Sequence, residues 1–292
     1  MLEIYGVLSY NNFYKYEREV NLNRLRNEMS GVFHRHSSKL MFERVNQWNN
    51  FYLRRQEKTS SEIDLSKYLI YYLAFKDLGF FDNLKEESKI IQLGVGHGRT
   101  LKTIIENEEK IRPIGLDISI QALNFLKERS YLKNLVCADA LSLPFSNNSI
   151  DRIFEVGVVE HFYESDPFEG YIVNRELVIE SFRELHRILK TNGIVGFIQP
   201  SKHSVLRFSQ KFDQILGRWE FGFQENFSIN EFCQLISIAG FRDIHYLIIQ
   251  SPKDFPKRIK VGDKLLKVYY NLTGQFRKAE LTGALFCLVA KK

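Results

Sequence analysis

The sequence predicts an α/β fold, a Rossmann-like, mostly parallel sheet covered by helices, and three observations carry that prediction. From Lys89 onward, short apolar runs alternate with amphipathic stretches, the pattern of right-handed βαβ crossovers. The first such run, "KIIQLG", breaks into glycines at alternate positions, Gly94, Gly96 and Gly98, before a helical stretch opens. An acidic residue, Asp117, then closes the next strand-like run 23 residues after Gly94.

The elements follow in order. No proline occurs before Pro113, and helical periodicity marks Val20–Tyr52, with a break at Gly31, and Ile63–Leu78, ended by Gly79. Residues 1–84 are therefore expected to form a helical cap and residues 85–292 the sheet domain. In that domain "RTLKTIIENEEK" reads as a helix, "RPIGLDI" as the second strand, and "SIQALNFLKERS" as a helix capped by Ser119. "NLVCADA" and "SIDRIFEVG" give the third and fourth strands. The helix "NRELVIESFRELHRILK" stops at Asn192-Gly193, and "IVGFIQP" is the fifth strand. "SINEFCQLISIAG" is a helix between the cap Ser228 and Gly240, and "FRDIHYLIIQ" and "ALFCLVAKK" supply the last two strands. Two cover insertions, at about 200–226 and 251–280, interrupt this series.

Composition sets the outer limits. Hydrophobic residues make up 44% of the 292 and charged residues 26%, enough to bury a core and too apolar for a disordered chain. Cys137, Cys233 and Cys287 show neither metal-binding nor pairing spacing and sit in apolar runs, so all three are expected as buried free thiols. The N-terminal stretch has no basic and apolar signal regions, and the longest apolar run, "YLIYYLAF", falls short of the ~20 residues of a membrane span. The chain reads as soluble and cytoplasmic. Of the formal net charge of +6, the segment 251–280 holds +5, eight Lys and Arg against three Asp and Glu.

Alternating glycines let a chain turn off a strand and bring backbone N–H groups close to a ligand. An acidic residue about 20 positions further on is placed to accept from ribose hydroxyls. Arg99 stands where a dinucleotide fingerprint would have its third glycine, so a nucleoside without a pyrophosphate is the better fit. A second carboxylate, Asp139, ends the third strand where an adenine amine could be read.

From about Lys89 to Phe241 the chain resembles the class I S-adenosylmethionine-dependent methyltransferases of the small-molecule group. The resemblance rests on "IIQLGVGHGRTL", "PIGLDIS", "VCADALSLPFSNNSIDRIFEVGVVEHF", "RELHRILKTNGIVGFIQP" and "FSINEFCQLISIAGF", in that order. It implies a seven-stranded sheet closed by an antiparallel C-terminal strand, and S-adenosylmethionine as cofactor, leaving as S-adenosylhomocysteine. It also implies that Gly94, Gly96 and Gly98 pass under the methionine part and that Asp117 holds the ribose diol. Ile118 would lie against the adenine, Asp139 and the Ala140 backbone would read its edge, and Glu155 would stand near the methyl donor. Gln92 departs from the pattern, because the family commonly has Asp or Glu at that position. An amide there brings no charge towards the cofactor's cationic end.

His161, directly after the fourth strand in "VVEHF", is the candidate general base; the plainer reading is that it only shapes its loop. The Asn/Asp-Pro-Pro-aromatic motif of base-amine methylation is absent, as is the Pro-Cys pair of cytosine methylation, so nucleic acid is not expected as a substrate. "EVGVVEHF" also resembles the Glu-x-x-Glu-His of quinone-pathway enzymes, but the first Glu falls at Gly157, and no metal site is expected. His203, Trp219, Phe221 and Phe223 could cover an apolar acceptor or pack on one another. The basic segment 253–278, with Ile259, Leu265, Leu266, Tyr269 and Leu272 near one helical face, suits an anionic membrane or a phosphorylated substrate. It equally suits packing on its own domain or on a second subunit in a homodimer. The expected function is methyl transfer to oxygen, nitrogen or carbon of a small acceptor. Its competitors are a non-catalytic nucleoside-binding protein, a dinucleotide oxidoreductase, and a methyltransferase acting on a lipid or prenylated acceptor at a membrane.

Overall fold

The apolar runs become strands of one sheet in a computed structural model that describes residues 4–9, 37–56, 66–129, 132–166, 170–204, 224–249 and 285–292. In chain order the N-terminal part gives β1 (Ile4–Ser9), α1 (Ser37–Gln56) and α2 (Ser66–Asp77). The alternating region gives β2 (Ser88–Leu93), α3 (Arg99–Asn107), β3 (Ile111–Asp117), α4 (Ile120–Glu128), β4 (Leu135–Cys137) and β5 (Ile150–Val156). After a single 3₁₀ turn, Val159–His161, come β6 (Tyr163–Asp166) and β7 (Gly170–Val173), an antiparallel hairpin. The remainder is α5 (Arg175–Ile188), β8 (Leu189–Pro200), α6 (Ile229–Ile238), β9 (Arg242–Ile249) and β10 (Leu285–Lys291).

The large sheet has the order β1-β9-β10-β8-β5-β2-β3-β4. Strands β4, β3, β2, β5 and β8 pair in parallel, and β10 runs antiparallel to both β8 and β9. These seven strands are the ones the sequence predicts. β1 is an addition: it pairs antiparallel with β9, from Ile4 opposite Ile249 to Ser9 opposite His245. The predicted cap was helical throughout, and six residues are too few for periodicity to announce a strand whose partner lies over 230 positions away.

Ser119 and Ser228 start their helices as predicted, whereas α5 stops at Ile188, short of the predicted Asn192-Gly193, which lie within β8. The Ser119 hydroxyl accepts from Ala122 N at the start of α4, and Ser228 accepts from Glu231 N at the start of α6. Asn174 Oδ1 accepts from Glu176 N and Leu177 N, satisfying two of the first-turn N–H groups of α5. Of the predicted helix Val20–Tyr52, the part before Ser37 lies outside the described residues. So do Trp219, Phe221, Phe223 and the basic segment 253–278.

Helices cover both faces of the sheet, which is why the central strand β5 is buried almost throughout. On one face Phe182 of α5 and Phe232 of α6 meet Phe197 of β8 in edge-to-face contacts, with centroids 5.1–5.4 Å apart. On the other, Phe75 of α2 and Phe80 stack against Phe154 of β5. Gly196 in β8 makes that layer possible, because a Cβ there would stand 2.6 Å from Phe75 Cε1. Cys233 and Cys287 are buried as expected. Cys137 is exposed, a correction explained by its position on β4, the three-residue edge strand. Among the described residues no helix is long and apolar enough to cross a membrane.

Candidate functional site

Parallel strands deliver their C-terminal ends to one edge of the sheet, and four of those ends build a single cavity. The β2–α3 loop carries Gly94, Gly96 and Gly98 at φ of 62°, 51° and 68°, a left-handed path that favours glycine. At Gly94 space is also lacking, since a Cβ would meet Val158 Cγ2 at 2.4 Å. The loop is tied to β3 by Asp117, whose Oδ2 accepts from Gly96 N and whose Oδ1 accepts from Ser119 N, each at 2.9 Å. Burial pushes the Asp117 carboxyl up to about 6, against the opposing pull of those backbone N–H groups. Asp139, just past β4, accepts from Leu141 N at 3.1 Å and from Arg44 Nη2 at 3.2 Å.

The cavity is partly open: about 600 Å³ of empty space lies within it and at its mouth, open solvent included. Of the residues named from the sequence, Gly94, Asp117, Ile118, Asp139, Ala140 and His161 line it together. Gln92, Gly96, Gly98 and Glu155 stand outside that lining. Gln92 is buried in β2 with no partner for its Oε1. Glu155 is fully buried, and its Oε2 accepts from Val158 N at 2.7 Å while Gln199 Nε2 donates to its Oε1. It therefore fixes the loop that carries Val158 and His161.

That loop holds a second buried acid. Glu160 is 3% exposed, its Oε2 has no partner, and its Oε1 lies 4.0 Å from His161 Nε2. Burial raises its carboxyl to about 8, and burial plus the neighbouring Glu160 raises Glu155 well above the usual carboxylate range. Two acids this close do not both ionise near neutrality. Gly157 has φ of 68°, and a Cβ there would meet Glu160 Oε1 at 2.8 Å, so a Glu-x-x-Glu-His arrangement would strain the backbone at its first Glu and displace Glu160. Among the described residues no cluster of His, Cys, Asp and Glu could hold a metal ion.

The sequence reading missed the roof. Helix α1 places Arg44, Trp48 and Tyr52, four residues apart on one face, on the cavity wall. Trp48 meets the His161 ring edge-on at 4.9 Å, and Tyr52 meets His97 at 5.2 Å. Phe51 and Tyr52 pack on Ala122 of α4, and the Ser119 hydroxyl donates to Asn49 Oδ1 at 2.8 Å. The repeat at i, i+4 and i+8 was visible as one helical face, but nothing local said which surface it would cover.

Comparison with known proteins bears on this cavity. Residues 91–197 match the family model described as "Methyltransferase domain". Over 130 residues the chain is 30% identical to a malonyl-[acyl-carrier protein] O-methyltransferase of a Marinomonas species, covering 44% of this chain and 43% of that protein. It is 27% identical over 214 residues to an uncharacterised protein of Methanocaldococcus jannaschii, covering 69% of this chain and 80% of that one. Among solved structures, an S-adenosylmethionine-dependent methyltransferase of Archaeoglobus fulgidus has the same fold, with TM-score 0.54 and 17% identity over 83% of this chain and 99% of that chain. The chain spans about half the length of the first curated relatives it matches, 43–62%.

Proposed function

We propose that this chain, whose residues 91–197 match the methyltransferase domain family, is a class I S-adenosylmethionine-dependent methyltransferase that methylates oxygen, nitrogen or carbon of a small acceptor. The observation that carries the proposal is convergence: Gly94, Asp117, Asp139 and His161 line one cavity at the sheet's carboxyl edge.

The residues fit the family's cofactor. Asp117 lines the cavity and already accepts from the backbone N–H groups of Gly96, Ser119 and Ile118; its two carboxylate oxygens, with about four lone-pair sites, keep capacity for a ribose hydroxyl. Asp139 and the Ala140 backbone line the same cavity at the position assigned to the adenine. When bound, S-adenosylmethionine supplies a methyl group activated by its sulfonium for in-line displacement. The chain's own task is alignment, exclusion of water and removal of a proton where the acceptor carries one. His161 is the residue in the lining suited to take that proton, and Glu155 holds its loop through Val158 N. Trp48, Tyr52 and Phe162 offer apolar area, which supports an acceptor with an aromatic or aliphatic surface.

Calorimetric titration of S-adenosylmethionine, S-adenosylhomocysteine and NADH into wild type and Asp117→Ala tests this reading. Micromolar binding of both sulfur nucleosides, lost in the variant, is the expected result. Binding of NADH alone, or of none of the three, refutes it.

A further inference from the structure

The order of the strands divides the cavity into two chemically different halves. Along the sheet edge the order is β5-β2-β3-β4; Asp117 ends β3, Asp139 lies just past β4, Gly94 follows β2, and Val158, His161 and Phe162 follow β5. A nucleoside with its base beside Asp139 and its ribose on Asp117 directs its sulfur across Gly94, which leaves the β5 half for the acceptor. The charged side chains of the lining are already matched. Asp117 is turned to backbone N–H groups, and Arg44 is balanced by Asp139 at 3.2 Å. The β5 half is built differently: Val158, His161 and Phe162 line it, with the half-buried Trp48 of α1 meeting the His161 ring at 4.9 Å and 83°. Among the described residues of that half none carries a fixed charge. Glu155 and Glu160 are buried outside the lining, where burial favours the uncharged form of both near neutrality and raises Glu160 to about 8.

We propose that the acceptor is an uncharged aromatic hydroxyl, its ring against Trp48 and Phe162 and its O–H at His161. The inference rests on the nucleoside reading above and narrows the acceptor atom to oxygen. A carboxylate or an ammonium entering the β5 half loses its water without gaining an opposite charge, whereas a flat ring gains the aromatic surface there. The proton chemistry agrees. An aromatic hydroxyl ionises near about 10, within reach of an imidazole at about 6.5, while an aliphatic hydroxyl resembles water at about 15.7. His161 takes the hydroxyl proton and becomes imidazolium. The oxygen's lone pair forms the new bond to the methyl carbon as the carbon–sulfur bond breaks, and the electron pair of that bond stays on sulfur. One positive charge thus moves from the sulfonium donor to the imidazole, and none is created. The cap helix, through Trp48, supplies part of the acceptor's platform.

The test uses one ring system with three head groups: naphthol, naphthoate and naphthylmethylamine, which are neutral, anionic and cationic near neutral pH. Each is titrated into the full chain saturated with S-adenosylhomocysteine, as wild type and as Trp48→Ala, with thermal melts to establish folding. Labelled S-adenosylmethionine then reports methyl transfer to each probe. Wild type is expected to bind naphthol at least about ten-fold more tightly than either charged probe and to convert it to methoxynaphthalene. Trp48→Ala is expected to weaken naphthol by about five-fold or more. A charged probe that binds as tightly as naphthol overturns the proposal, whether or not the variant folds. So does a chain that holds S-adenosylhomocysteine but none of the three probes, or that binds naphthol without methylating its oxygen. Unchanged naphthol affinity in folded Trp48→Ala overturns the platform. Wild type that fails to bind S-adenosylhomocysteine refutes the nucleoside reading itself, and the acceptor assignment with it.

Discussion

Replacing Glu160 with Gln isolates one buried proton. The folded-state value of this carboxyl, about 8, lies above the ordinary 4.5, so between those limits the native chain keeps a proton that the unfolded chain has released. Stability must then fall as pH rises through that window, and level off above it. One proton gives a slope of about 1.4 kcal/mol per pH unit, so wild type should lose roughly 2–3 kcal/mol between pH 5.5 and 7.5 on this account alone. Glutamine is nearly isosteric, and it remains a donor where the protonated acid was one. Asp117 and Glu155 also titrate with raised values, but they are present in both proteins, so the wild-type-minus-variant difference cancels them except for the coupling between Glu155 and Glu160. Urea unfolding at pH 5.5, 6.5 and 7.5 reads that difference, and Glu160→Gln should gain on wild type by about 2–3 kcal/mol across the range. Parallel stability curves for the two proteins would mean that Glu160 is already ionised at neutral pH, and the reasoning about the buried pair would fail.

Two further outcomes concern the scaffold. Phe232→Ala removes the ring at the centre of the α5–α6 layer, in contact with Phe182, Phe197, Phe227 and Phe286, and should cost about 3–5 kcal/mol in chemical denaturation with the m-value unchanged. Asn174→Ala strips two first-turn N–H groups of α5 of their acceptor and should cost about 1 kcal/mol; a loss below a few tenths would show that water replaces the cap fully.

What the sequence disclosed depended on how far apart the interacting residues lie. Ser119 and Ser228 could be read as caps because the bond each accepts comes from a residue three positions on. Asp117 and Asp139 could be placed at the sheet's carboxyl edge because the parallel strand rule fixes where strand ends go, whatever lies between. Arg44, Trp48 and Tyr52 could not, since their placement over the cavity depends on contacts such as Arg44 with Asp139, 95 positions apart. Glu155 was assigned towards the methyl donor by resemblance, yet its carboxyl turns to Val158 N and Gln199, a choice set by packing behind the loop. Cys137 escaped for a related reason. Whether a strand is central or at an edge belongs to the sheet order, and local hydrophobicity does not encode it.

The pairing of β1 with β9 has a consequence beyond the monomer. An open strand edge is a row of unused N–H and C=O groups on which another chain can build. Here one outer margin is occupied by the chain's own first strand, and the opposite margin is β4, three residues long. Among the described residues β1, six residues long and irregular in register between Tyr5 and Leu8, is therefore the margin on that side, and any strand addition there would build on β1 and not on β9. The chain's own N-terminal strand thus takes the place on β9 that a strand from another copy would otherwise fill.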